Sequence, residues 1–228
     1  VIVIGGGITG AGILLDAQLR GLSCCLLEMQ DFSEGTSSRS TRLIHGGLRY
    51  LKQWNFKLVR ETGQERNVVA HIARHLTHPK KVVLPVVKGG TFSKFQLKLA
   101  LWIYEKLAAV PKSMRHSAYS KEELLEEMPQ LRTQDLKGGI EYVEFQTNDS
   151  RLTIEVIKTA VKQGGVAVSR LKVIGWIKDE SQNVIGVKAI DLLTNKELIV
   201  EGTSIINATG PWIDDLLEDE TTELNKII

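Results

Sequence analysis

The stretch VIVIGGGITGAG, Val1 to Gly12, runs an apolar strand straight into a glycine turn and then into a helix-forming segment. Gly5, Gly7 and Gly10 satisfy G-x-G-x-x-G, and each has a physical task. The first makes the tight turn, the second lets backbone approach a pyrophosphate, and the third lets the helix pack closely on the strand. The helix beyond them presents N–H groups and the positive end of its dipole to an anion. Alone, such a match is weak, because any glycine-rich turn can satisfy it. Its surroundings strengthen it. A second apolar strand, Cys24 to Leu27, ends in Glu28, eighteen residues beyond Gly10, near the spacing of a carboxylate that hydrogen-bonds an adenosine ribose. Strand, helix and acid agree on a dinucleotide site.

Working outward, the first helix is expected from Thr9 to about Arg20, ended by Gly21. A helix is expected from Lys52 to about His75, and a strand from Val82 to Val87 with an edge position or bulge at Pro85. Further helices follow at Phe95 to Ala109 and from Ser120 to Pro129. Leu136 to Gly139 reads as a turn before a strand from Ile140 to Gln146. Asp149 or Ser150 caps a helix over Leu152 to Gln163, stopped by Gly164 and Gly165. Strands at Val166 to Ser169, Lys172 to Lys178, Val184 to Leu192, Glu197 to Glu201 and Thr203 to Asn207 complete a β-meander and a return to the sheet. The acidic stretch Asp214 to Glu223 reads as a solvated helix surface.

At 228 residues, with 29 basic and 27 acidic side chains and a formal charge of +2, the chain can bury a core and carries no overall field that argues for nucleic acid. No run of 18 apolar residues argues for a membrane span. The adjacent Cys24 and Cys25 point to opposite faces of one strand and read as reduced core residues, which fits a cytoplasmic setting. The chain starts on a strand rather than on a signal peptide or a methionine, so residues are expected in front of Val1. His71, His75 and His78 stand at four- and three-residue spacing. No Cys or acidic partner completes a metal site nearby and Pro79 follows, so a solvated helix end is expected there and no metal.

Asp31 to Leu51, DFSEGTSSRSTRLIHGGLRYL, interleaves six hydroxyl side chains with Gly35, Arg39 and Arg42. It offers short donors beside a phosphate-binding turn, although taken alone a polar loop with a helix N-cap accounts for it. With GGGITGAG, NDSRL (Asn148 to Leu152) and NATGPW (Asn207 to Trp212), it resembles the flavin-linked, FAD-dependent glycerol-3-phosphate dehydrogenases and their relatives the glycerophosphate oxidases. The likeness runs in order along nearly the whole chain, and GTSSRST followed by HGGLRYL is far more specific than the glycine fingerprint.

The resemblance implies an α/β fold: a Rossmann-like FAD-binding domain of glutathione-reductase type, like that of D-amino-acid oxidase, with part of an interleaved substrate domain. The FAD-binding domain is expected at 1–80 and 149–228 and the substrate domain at 81–148. FAD contacts are expected from Gly5, Gly7, Ile8, Thr9, Gly10, Glu28, Met29, Thr36, Ser37, Arg39, Ser40, Val173, Ala208, Gly210 and Trp212. His45, Gly46, Gly47 and Leu48 are implied to lie along the isoalloxazine. Arg49 and Tyr50 match the family's substrate-site motif, and arginine's fork suits a phosphate. His45 is a flavin neighbour first and a candidate general base second, histidine being the residue type that exchanges protons near neutral pH.

The implied reaction takes sn-glycerol 3-phosphate to dihydroxyacetone phosphate, with electrons passed to a membrane quinone or, in the oxidases, to O2. Family members continue well past NATGPW, so the chain is expected to be an N-terminal fragment. A glycine- or sarcosine-oxidase-like amine oxidase and an inert nucleotide-binding fragment are the alternatives. The resemblance implies peripheral contact with the inner face of the cell membrane to reach quinone, although this stretch of sequence shows no basic amphipathic anchor.

Overall fold

In the computed structural model of the protein, residues 1–216 are described, apart from the side chains of Arg49 and Asp215. In chain order the strands are β1 (Ile2–Ile4), β2 (Cys25–Leu27), β3 (Leu43–Ile44), β4 (Thr77–Val87), β5 (Ser117–Tyr119) and β6 (Leu136–Thr147), then β7 (Val166–Val168), β8 (Leu171–Lys178), β9 (Val184–Asp191), β10 (Glu197–Glu201) and β11 (Ile205–Asn207). The α-helices are α1 (Ile8–Leu19), α2 (Phe56–Ile72), α3 (Lys94–Leu107), α4 (Lys121–Glu127) and α5 (Asp149–Lys162). Two compact units result: Val1–Thr41 with the described part of Asp149–Ile228, and Arg42–Asn148.

The first unit is built on a parallel sheet of order β11-β1-β2-β7. Its central strands β1 and β2 are buried on both faces, which is why they read as unbroken apolar runs rather than alternating ones, whereas the edge strands β7 and β11 are partly exposed. Val3 and Leu26 face Leu14 and Ala17 of α1 and Ala160 of α5. Ile2, Ile4 and Leu27 face Leu171, Val173, Val187 and Ala189 of the antiparallel meander β8-β9-β10. Helices, parallel sheet and meander thus form three layers. Val3, Leu14 and Leu26 have no exposed surface, and each contributes roughly 1.5–3 kcal/mol of burial.

In the second unit β6 is central. It pairs antiparallel with β4 along its whole length, with β5 at Gly139 to Glu141 and with β3 at Phe145 and Gln146. Val59 of α2, Leu101 and Tyr104 of α3, Ala108, Val110 and Ile140 form its core. Gly63 permits the helix contact, since a Cβ there would lie 2.4 Å from the Ala108 Cβ.

Several boundaries differ from expectation for local reasons. The first division falls at Thr41/Arg42 and not near Lys80, because Leu43 and Ile44 pair with β6 and α2 packs against α3. The helix expected from Lys52 starts at Phe56. Residues Leu48–Gln53 form a 3-10 turn, Trp54 takes φ 56°, and the Asn55 side chain caps α2 by accepting the Leu58 N–H. Leu136 to Gly139 is strand rather than turn. Gly138, at φ 120°, lets β5 cross close by, where a Cβ would sit 2.4 Å from the Tyr119 carbonyl oxygen. β4 begins five residues early, at Thr77, and tolerates Pro79 and Pro85 because it is an edge strand. Asp149 and Ser150 lie in the first turn of α5 rather than before it. Of the acidic stretch from Asp214, Asp214–Leu216 is a 3-10 turn and residues 217–223 lie outside the described residues.

Candidate functional site: a cleft at the carboxyl ends of the parallel strands

β1 ends at Ile4, and Gly5 turns the chain at φ 111°. Its N–H donates to the Leu27 carbonyl at 2.9 Å, and the Ala208 N–H donates to the Ile4 carbonyl at 2.8 Å. The ends of β2 and β11 are thereby tied to the glycine turn. A Cβ on Gly5 would lie 2.5 Å from the Ala208 carbonyl oxygen, and one on Gly10 only 1.9 Å from the Gly5 carbonyl oxygen. No side chain of the N-cap residue, Gly7, closes the start of α1. Instead Ser37, from the hydroxyl run, accepts the Ile8 N–H at 2.9 Å. An accepting hydroxyl keeps its own proton to donate.

Glu28 is clamped at the end of β2. One carboxylate oxygen accepts the Gly6 N–H at 2.6 Å and the other the Gln30 N–H at 2.7 Å. On the opposite wall, the Asn207 side-chain oxygen accepts from the Thr209 N–H and hydroxyl at 3.1 and 2.6 Å, setting the turn that leads to Gly210 at φ 64°. The Trp212 ring closes on Gly35, where a Cβ would meet it at 2.8 Å. Leu171, Lys172 and Val173 of β8 complete a cleft of about 670 Å³.

Of the residues expected at the cofactor, Gly5, Gly7, Ile8, Thr9, Glu28, Met29, Thr36, Ser37, Arg39, Val173, Ala208, Gly210 and Trp212 line this cleft. Gly10 lies beneath it as a packing residue. Ser40 is not in the lining, and its hydroxyl donates to the Asp149 carboxylate at the start of α5. Arg39 pairs with Glu34 at an exposed 3.3 Å contact on the rim. Gly35, from the hydroxyl run, and Thr209, from the NATGPW turn, also line the cleft, as do Gly6 and Gln30, which were not singled out from sequence. For Gly6 the signal was present as the middle glycine of GGG: a Cβ there would meet the Phe32 ring at 2.8 Å and Glu28 at 2.9 Å.

His45, Gly46, Gly47, Leu48 and Tyr50 belong to the second unit. Gly46 and Gly47 are buried, and Gly47, at φ 78°, starts the 3-10 turn in which Tyr50 N–H donates to the Gly47 carbonyl. His45 is exposed and lines an apolar cavity of about 1030 Å³ together with Leu48, Leu51, Leu84, Tyr142 and Glu144. The Arg49 side chain lies outside the described ones. His71 lies in the last turn of α2, with Arg74 at 2.8 Å, whereas His75 follows the helix and His78 is on β4, so the three share no helix face. Among the described residues no group of three His, Cys, Asp or Glu side chains is arranged to hold a metal.

Burial raises the Cys24 and Cys25 thiols above the ordinary cysteine value, as expected for packed, unreactive thiols. In the second unit burial also raises the Glu144 carboxyl, opposed by the Arg66 guanidinium beside it, and raises the Tyr104 phenol, reinforced by the Glu144 charge.

The cleft's parts fit a pyrophosphate joined to a ribose: glycine backbone without Cβ cover, a helix start free of its own side-chain cap, and a fixed carboxylate at the next strand end. Its position at the carboxyl ends of parallel strands, roofed by a β-meander layer, defines a flavoprotein oxidoreductase architecture. The chain belongs to the FAD dependent oxidoreductase family, whose model matches residues 1–227. It is similar to the aerobic glycerol-3-phosphate dehydrogenase of Staphylococcus aureus (strain USA300), with 48% identity over 226 residues that cover 99% of this chain and 41% of the relative. Among solved structures it resembles the glycerol-3-phosphate dehydrogenase from Bacillus halodurans complexed with FAD, at 39% identity and TM-score 0.74, covering 95% of this chain and 35% of that one. L-proline dehydrogenase from P. horikoshii, at 18% identity and TM-score 0.68 over 95% of this chain and 54% of that one, shares the fold. The chain therefore spans about two fifths of the length of the curated relatives it matches.

Proposed function

We propose that the full-length protein binds FAD in the cleft of the first unit and oxidises sn-glycerol 3-phosphate to dihydroxyacetone phosphate. The observation that carries the reading is the Glu28 carboxylate, held by two backbone N–H groups beside the Gly5 to Gly10 turn, in a chain 48% identical to an aerobic glycerol-3-phosphate dehydrogenase. FAD supplies the two-electron acceptor for the hydride that leaves C2.

The chain's own residues bind and orient. Gly5 and Gly7 admit the pyrophosphate to the start of α1, and Ser37 offers a hydroxyl proton to the same anion. Glu28 accepts from a ribose hydroxyl, and Trp212 and Val173 cover apolar surface. In this reading His45 takes the C2 hydroxyl proton, while Arg49 and Tyr50 receive the substrate phosphate.

Quinone is the proposed electron acceptor, with the protein in the cytoplasm and in peripheral contact with the inner face of the cell membrane. Among the described residues no helix is long and apolar enough to cross a membrane, so this contact is proposed at the surface only. The deciding experiment is anaerobic titration of the purified full-length protein. Bleaching of flavin absorbance by glycerol 3-phosphate supports the reading. Bleaching by an amino acid instead would overturn it in favour of an amine oxidase, and a colourless protein that takes up no FAD would end it. With air admitted, stoichiometric peroxide identifies O2 as the acceptor, and dependence on added quinone identifies a dehydrogenase.

A further inference from the structure

The second unit buries an ion pair that the proposed chemistry does not use. Arg66 on α2 and Glu144 on β6 stand 3.2 Å apart, each side chain only 2% exposed. Arg66 also donates to the Tyr104 hydroxyl at 2.6 Å, and its guanidinium lies 5.5 Å from the Phe145 ring centre. Its Nε has no hydrogen-bond partner among the described residues. Desolvation offsets most of the attraction in such a pair, so stability is a poor account of its presence.

What the pair holds is the backbone of HGGLRYL. The Gly46 N–H donates to both Glu144 oxygens, at 3.3 and 3.4 Å, a three-centre bond long at each branch. On the other side of the residue, Thr62 of α2 shares its hydroxyl proton between the Gly46 carbonyl at 3.0 Å and the Leu58 carbonyl at 2.7 Å. The Tyr104 hydroxyl occupies the space where a Gly46 Cβ would lie, 2.1 Å away, and Thr62 Oγ1 would be 2.4 Å from a Gly47 Cβ. Three elements far apart in sequence thus grip a single glycine pair at its N–H, at its C=O and across its missing side chains.

We propose that Glu144 and Arg66 are positioning residues for the His45–Gly47 backbone, with Tyr104 as the strut between α3 and the loop. Glu144 receives the Gly46 amide, Arg66 holds Glu144, and the position of the His45 imidazole follows from both. Both are assigned to act through the loop backbone rather than on the reacting atoms. The inference rests on the proposed role of His45 to Tyr50.

The test uses the full-length protein, with and without FAD. The double variant Arg66→Met with Glu144→Leu removes both charges and leaves no unpaired buried ion. Glu144→Gln keeps an oxygen for Gly46 but loses the charge, and Tyr104→Phe removes only the strut's hydroxyl. Amide hydrogen exchange over residues 43–50 is read beside kcat and KM for glycerol 3-phosphate. The expected result in the double variant is exchange at least about tenfold faster in that segment alone, with kcat lowered by about 10- to 100-fold. Glu144→Gln should recover part of both, and Tyr104→Phe should loosen the segment in the same direction. Unchanged exchange and kcat in the double variant would overturn the proposal, as would faster exchange spread evenly over the second unit. Should the double variant fail to fold, Tyr104→Phe decides by the same two readouts. If the wild-type protein does not oxidise glycerol 3-phosphate, the functional reading fails, while local exchange in the flavin-free chain still decides whether the pair positions the loop.

Discussion

The Cβ that Gly10 lacks would lie 1.9 Å from the carbonyl oxygen of Gly5, so the first turn of α1 rests directly on the backbone of the glycine turn. Gly12, two residues along the same helix, has nothing within 4 Å of its missing Cβ. One substitution should therefore act with opposite sign at the two sites. Alanine in place of glycine inside a helix gains about 0.8–1 kcal/mol. At Gly12 that gain is expected in full. At Gly10 a backbone collision costing about 1–3 kcal/mol or more outweighs it. Thermal unfolding of Gly12→Ala should move up by a few degrees. Gly10→Ala should move down and lose bound flavin, and equal shifts in both would contradict the packing described.

Glu28→Ala leaves the Gly6 and Gln30 N–H groups without their acceptor beside the turn. Hydrogen bonds to a charged group contribute about 1.5–3 kcal/mol each, so FAD affinity of the full-length protein should fall at least about tenfold. Glu28→Gln, which keeps one acceptor oxygen, should fall less. Flavin fluorescence quenching during titration of the apoprotein measures both.

Ser37→Ala removes the acceptor of the Ile8 N–H, which the helix's own N-cap glycine cannot supply. A lost cap costs roughly 0.5–2 kcal/mol, and denaturant titration should give a lower midpoint with an unchanged slope. A changed slope would mean that the hydroxyl run holds more than the helix start.

Asp191 turns the β9–β10 hairpin. Its carboxylate accepts from the Thr194 hydroxyl at 2.6 Å and the Leu193 N–H at 2.8 Å, bonds that hold its pKa below the ordinary aspartate value. A folded-state pKa lower than the unfolded one means the stabilisation is present above about pH 4 and is lost as pH falls through the lowered value. Asp191→Asn should therefore be less stable than wild type at neutral pH, with the difference shrinking below about pH 4. A difference constant from pH 7 to pH 2 would remove the carboxylate from the acid response.

Much of the first unit was legible because its signals are local. VIVI, the three glycines and Glu28 lie within one strand, turn, helix and strand, and their spacing follows from backbone geometry. The second unit was less so. Leu136 to Gly139 looks like a turn until β4 and β5 are present to pair with it, and Leu43 and Ile44 become strand only beside Phe145 and Gln146. Gln30 and Thr209 reach the cleft through backbone and side-chain bonds that no spacing rule announces.

By itself the sequence determined the dinucleotide turn, the carboxylate at the end of the second strand, and the order of strands and helices in the first unit, because periodicity and glycine placement constrain neighbours along the chain. The tertiary structure alone decided that Ser37 caps a helix 29 residues away, that Ser40 turns to Asp149 instead of the cleft, and that Arg66, Tyr104 and Glu144 converge on Gly46. Those contacts join residues from 29 to 109 positions apart. Their partners are selected by packing and by the need to satisfy buried polar groups, and both exist only once the chain has folded.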